Sequence, residues 1–139
     1  MPATGKLYGR ATLSLFAGSI TTAHPWKVML VGAGYTPDQD AHQVKADVTN
    51  EYAGTGYTAG GATLTNVAVN YSAGTNTLTI DADDVAWNGT ITARYAVVYD
   101  ATTNALVGWV DFGAATSATG GTFTIEWNAA GIITATVAS

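Results

Sequence analysis

No cysteine occurs in the 139 residues, so disulfides, thiol chemistry and cysteine-built zinc sites are excluded. Charge is scarce as well. Five Lys and Arg stand against ten Asp and Glu, for a net charge of −5 with no basic cluster, which argues against nucleic acid as a partner. No apolar run approaches the roughly 20 residues a bilayer span needs, so no membrane partner is expected and the chain reads as soluble. With three prolines and no composition break, nothing divides it into parts. What is present is 47% hydrophobic residues, 16 glycines and many threonines, a balance that favours a packed globule over a disordered chain. A chain of this length buries roughly two thirds of its unfolded surface, enough for a core without staples. One domain over 1–139 is expected, with residues 1–6 as an N-terminal arm.

Period-two alternation dominates the rest. Phe123, Ile125 and Trp127 alternate with Thr122, Thr124 and Glu126, and Ile133, Ala135 and Val137 resume the pattern after Asn128–Gly131, so 122–137 reads as a hairpin. Val67, Val69 and Tyr71, then Ser72–Thr75, then Leu78 and Ile80 predict a second. A third joins Ile91–Tyr99 to Ala105–Phe112 through Asp100–Asn104; it is apolar on both parities, the mark of a covered central strand or an interface. Leu7–Phe16, Trp26–Val31, Tyr52–Tyr57 and Val85–Trp87 are further strand candidates. Lys6 and Arg10 ahead of Ala11–Ile20 have the outline of a signal peptide, but Leu7, Gly9, Ala11, Leu13 and Leu15 share one parity and fit a strand better. Pro37–Val48 offers at most one or two helical turns. The expected fold is all-β: an antiparallel, jelly-roll-like β-sandwich of about nine strands with little or no helix.

Chemistry is harder to find. Asp38, Asp40 and His42 have cation-ligand character, as do Asp81, Asp83 and Asp84, yet both groups read better as turns capped by carboxylates, and neither has a calcium loop's glycine and glutamate. His24, before Pro25, reads as structural, and neither imidazole accompanies a nucleophile motif. The glycine-rich 54–61 segment lacks the lysine and following helix of a phosphate loop. No catalytic residue and no cofactor is assigned, and an enzyme is not expected. Trp26, Trp87 and Trp127 share parity with core positions; Trp109, on a face with Val107, does not, and is expected to be covered by a partner. Tyr35, Tyr52 and Tyr57 fall in a loop-rich stretch where an exposed aromatic surface is expected, which together with Trp109 keeps a carbohydrate-binding module as an alternative.

Lys6-Leu7-Tyr8-Gly9, Lys27-Val28-Met29-Leu30, Tyr35–Asp40, Gly54–Gly61, Asp81–Val85, Ala93–Asp100, Gly108–Gly113 and Phe123–Trp127, in that order and spacing, resemble a family of small virion proteins of tailed bacteriophages. The resemblance covers nearly the whole chain and departs from the family pattern between Phe16 and Pro25, where members are more acidic and polar. It implies a non-enzymatic capsid decoration (cement) protein on the virion surface, made in the host cytoplasm, with the major capsid protein as partner and a homo-oligomer, preferably a trimer, as working form. A tail, neck or fibre adaptor is the alternative within the virion. The residues expected to touch partners are Lys6, Tyr8 and Arg10, from a segment holding two of the five basic residues, and Val98, Val107 and Trp109 on the two-faced hairpin.

Overall fold

The computed structural model describes residues 3–138. In chain order the elements are β1 (Gly5–Leu7), α1 (Gly9–Ala17), β2 (Trp26–Val31), a 3-10 turn (Lys45–Asp47), β3 (Ala62–Thr63), β4 (Ala68–Ser72), β5 (Thr77–Asp81), β6 (Val85–Asp100), β7 (Leu106–Ile125) and β8 (Ile133–Thr136). All eight strands lie in one curled sheet of order β3-β2-β6-β7-β1-β8-β5-β4. The all-β class therefore stands, but the jelly-roll sandwich is replaced by a single sheet. That sheet is mixed rather than antiparallel, because β1 pairs parallel to β8 at Gly5 and Ile133.

The sandwich expectation fails for an identifiable reason. Glycines near 89 and 113–121 look like turn signals, yet the chain runs straight through them, so four expected short strands fuse into the 16-residue β6 and the 20-residue β7. Register shifts at Gly89/Ile91, Ala93/Tyr95 and Val98/Tyr99 take up the irregularity as bulges. Bulges bend and twist a ribbon. The long hairpin can thereby curl over its own core, with no second sheet needed to cover it.

Two hairpins form where alternation and turn residues coincide. Val69 faces Ile80 across β4 and β5, and Tyr99 faces Leu106 across the Asp100–Asn104 turn. The expected 122–137 hairpin does not form: Phe123 and Ile125 face Trp87 and Val85 on β6, while β8 pairs with β5. Tyr52–Tyr57 is loop rather than strand, held by Tyr57 Oη and the Gly60 amide, which each donate to Glu51 Oε2 at 2.6 Å. That loop is tightly turned. At Gly61 φ is +84°, and a side chain would run into the Val28 carbonyl.

The first described residues are drawn into the sheet. The N–H of Ala3 donates to the Glu126 carbonyl, and Gly5, Lys6 and Leu7 face Val110, Trp109 and Gly108 on β7. Residues 3–6 are thus not a free arm, while Met1 and Pro2 lie outside the described residues. Past β1, the strand expected over Leu7–Phe16 becomes α1. It ends at Gly18, whose φ of +85° lets its N–H reach back to the Ser14 carbonyl. Ala11 and, partly, Leu15 face the core at helical spacing. Among the described residues no helix is long and apolar enough to cross a membrane.

The core occupies both faces of the central strands. Val28 to Val31 of β2 and Tyr95 to Asp100 of β6 are buried on both parities. Trp26, Trp87 and Trp127 are core residues, as their parity predicts. The two-faced hairpin is covered by its own chain, so its apolarity over 95–99 and 105–110 needs no partner subunit.

Candidate interaction surface

The six residues expected to touch partners divide sharply. Val98 and Val107 are buried in the sheet, and Tyr8 is wholly enclosed; none of the three is available to a partner in this fold. Lys6 and Arg10 are exposed. Trp109 is half-buried, packed on Tyr8 with ring centroids 4.7 Å apart, and Lys6 sits opposite it on β1. The cover expected for Trp109 thus comes partly from within the chain.

Tyr8 belongs to a buried polar relay whose proton positions follow from one fixed donor. The Asp38 N–H donates to His42 Nδ1 at 3.2 Å, so that nitrogen carries no proton. Tyr35 Oη, 2.8 Å from the same nitrogen, must then donate to it, and Tyr8 Oη, 2.8 Å away, donates to Tyr35. Burial, reinforced by this bonding, pushes the Tyr8 phenol far above the usual range, and burial pushes Tyr35 the same way. The order of the relay sets an order of costs. Tyr35→Phe leaves the enclosed Tyr8 hydroxyl without an acceptor and should cost about 2 kcal/mol, against about 1 for Tyr8→Phe, which removes only the terminal donor. Urea midpoints of the two variants test this ranking.

Most of the aspartates are also engaged by the fold. Asp38 Oδ1 accepts the Asp40 and Ala41 amides, and these bonds hold its carboxyl below the ordinary range. Asp47 is lowered likewise by the Gln43 and Val44 amides. Asp83 accepts from Thr65 and Asn66, Asp84 from the Trp127 amide, and Asp81 from the Ala82 amide. Among the described residues no three of His, Cys, Asp and Glu are grouped to hold a metal. His24 Nδ1 donates to the buried Asp100, 2.8 Å away, but no hydroxyl among the described residues is hydrogen-bonded to that ring. Arg94 forms a two-pronged pair with Asp111 at 2.6 and 3.2 Å on the surface, which lowers the Asp111 carboxyl.

The aromatic loop surface does not form. Tyr35 and Tyr57 are buried and Tyr52 is half-buried, each hydroxyl satisfied internally. A tyrosine in a loop can be buried when its hydroxyl finds an acceptor, and here His42, Glu51 and the Thr90 carbonyl supply them. With that platform goes most of the support for a carbohydrate-binding module.

The exposed apolar surface lies instead where a strand was expected. On α1, Phe16 is 94% exposed and Leu13 61%, with Arg10 on the same outward arc and Ala11 and Leu15 on the opposite one. The signal was present in Gly18 as a helix stop and in the run of good helix formers, but the parity of Leu7 to Leu15 concealed it. A groove of about 410 Å³ opens along residues 112–126, where Phe112, Ala118, Phe123 and Ile125 line it together with Thr116, Ser117, Thr122 and Thr124, and with Ala3 and Glu126. A second, shallower hollow at Thr55, Asn88–Thr90 and Gly120–Thr122 contains no ionisable side chain. Comparison of the chain with protein families, with curated proteins and with solved structures finds no match.

Proposed function

We propose that this chain is a non-enzymatic virion structural protein of a tailed bacteriophage, one that binds the exterior of the icosahedral capsid and stabilises it as a decoration protein. The observation that carries this reading is the display of Phe16 and Leu13 beside Arg10 on a domain in which both histidines and most aspartates are engaged in holding loops and turns. Large exposed apolar groups mark a binding surface. The resemblance of the Lys6–Gly9, Ala93–Asp100 and Phe123–Trp127 segments to phage virion proteins supplies the partner, the major capsid protein. A homo-oligomer, with the trimer preferred, is the proposed working form. The mechanism is linkage: a protein that binds the assembled shell and not its dissociated subunits shifts the balance toward the shell, and more so with each copy bound.

Co-sedimentation of the purified protein with expanded capsids of its phage, followed by electron microscopy of the particles, tests the proposal. The expected result is saturable binding over the whole outer shell, weakened at least tenfold by Phe16→Asp, which removes an exposed phenyl ring that the bound assembly buries, against the shell or against a neighbouring copy. A single ring at one vertex would instead place the protein in the neck or tail. No binding to capsid or tail would end the virion reading.

A further inference from the structure

The exposed face of α1 and the open groove are separate features of one molecule, formed by different residues. We infer that α1 of one copy docks into the β7 groove of a second copy, so that the protein assembles head to tail. Phe16 and Leu13 enter against Phe112, Ala118, Phe123 and Ile125, and Arg10 meets Glu126. The inference rests on the reading above that the chain works as an assembly, and it names the surfaces that assembly uses.

Three observations support the match. The first is chemical: the knob is an aromatic and an aliphatic side chain, 94% and 61% exposed, and the hole sets Phe112, Phe123, Ile125 and two alanines among Thr116, Ser117, Thr122 and Thr124, a mixed lining whose apolar part can take a ring. The second is charge. Among the described residues Arg10 and Glu126 form no ion pair, as is also true of Lys6 and Lys27; what sets the two apart is place, Arg10 on the outward arc of α1 and Glu126 on the groove. One free cation flanks the knob and one free carboxylate flanks the hole, so the contact pairs opposite charges while the net charge of −5 opposes indiscriminate association. The third is position. The chain enters α1 beside Val107, where the Tyr8 N–H donates to the Val107 carbonyl, whereas the groove lies along residues 112–125 of the same strand. At about 3.3 Å per residue, roughly 40 Å of strand lies between the helix entry and the middle of the groove, so each copy offers its knob and its hole at different places along β7. Such a contact is heterologous and either closes into a ring or runs on into a filament. A ring is the form consistent with a symmetric capsid ligand.

Sedimentation velocity on the full chain provides the test. The wild type should sediment as a closed oligomer at tens of micromolar, and Phe16→Asp, a change at an exposed site that leaves the fold intact by circular dichroism, should weaken association at least tenfold. Arg10→Glu and Glu126→Arg should each weaken it severalfold, and the double variant should return to within a few-fold of wild type, because the charge pair is rebuilt in reverse. A wild type that stays monomeric at about 100 µM overturns the inference. So does an oligomer indifferent to Phe16→Asp, or a double variant no better than the single ones. The same proteins added to capsids separate the two proposals. An oligomer broken by Phe16→Asp that never binds capsid or tail keeps the helix-in-groove contact and removes the virion reading. Capsid binding by a monomeric wild type does the reverse.

Discussion

Stability should fall steeply once the pH passes about 10, the ionisation range of an ordinary phenol. Tyr8 and Tyr57 are both buried, and burial is the largest cause of their raised pKa values, followed by the hydrogen bonds to Tyr35 and to Glu51 respectively. Both stay protonated in the fold at a pH where the unfolded chain releases their protons. The sign follows directly. A raised folded-state pKa contributes stability that is intact below the unfolded value of about 10, and it drains away as pH rises from there toward the folded value. Each such phenol removes about 1.4 kcal/mol per pH unit, so the two together remove on the order of 3. Tyr35 and Tyr99 are pushed in the same direction by burial and steepen the slope. For a domain stable by about 5–15 kcal/mol, unfolding should then set in within a few pH units above 10. Absorbance at 295 nm should show these phenols ionising together with the loss of near-ultraviolet dichroism, not ahead of it. A smooth titration of all tyrosines with the tertiary signal intact would show that the relay and the Glu51 loop open readily. At the acid end, Asp38, Asp47 and Asp111 have lowered pKa values, so their contribution is present above about pH 4 and fades below it.

The tyrosine cluster also shows what the sequence makes legible. Local pairings can be read from it: the β4–β5 and β6–β7 hairpins follow from alternation and from turns whose left-handed residues are Asn76 and Asn104, at φ of 51° and 61°. The core placement of Trp26, Trp87 and Trp127 follows from parity for the same reason. Non-local pairings cannot be read this way. Nothing in Gly5-Lys6-Leu7 tells that it inserts between β7 and β8, a hundred residues on, because a three-residue strand has no pattern of its own and its register is set by partners. The exposed apolar face of α1 is hidden by the rule that makes cores legible. Counting apolar residues as inward-facing assigns Leu13 to a strand's buried face, when it and Phe16 are the residues the helix holds out to solvent. Lys6 and Arg10 are exposed as their charge predicts, whereas Val98 and Val107 have the apolar character that buries them, and Tyr8, from the same basic segment, is enclosed. The groove was beyond reach because Ala3, Phe112 and Glu126 meet only after β7 has curled.

Asp100→Ala should be among the most damaging single substitutions in the chain. Asp100 is fully buried at the head of the β6–β7 turn, and its two oxygens serve four donors. Oδ1 accepts the Thr102 and Thr103 amides at 2.9 and 3.3 Å, which shapes the turn. Oδ2 accepts the Thr21 amide at 3.3 Å and His24 Nδ1 at 2.8 Å, which ties the segment after α1 to that turn. Alanine leaves all four without their acceptor in a place that water reaches poorly, and a loss of about 3–5 kcal/mol is expected. Asparagine keeps one acceptor oxygen, sufficient for the turn amides, and replaces the other by an NH2 group that meets two donors. Asp100→Asn should therefore fall between wild type and alanine, with its damage concentrated on residues 18–25. Hydrogen exchange by mass spectrometry would resolve this, with faster exchange after Gly18 in the asparagine variant and unchanged exchange in β4 and β5. The consequence reaches the interaction surface, since Thr103 Oγ1 donates to the Ser19 carbonyl at 2.8 Å and the buried Ile20 anchors the C-terminal end of α1. If that end is released, Phe16 loses its fixed direction, and association should weaken although no contact residue has changed. An asparagine variant that keeps wild-type association and wild-type exchange at 18–25 would show that α1 is positioned by Ala11 and Leu15 alone.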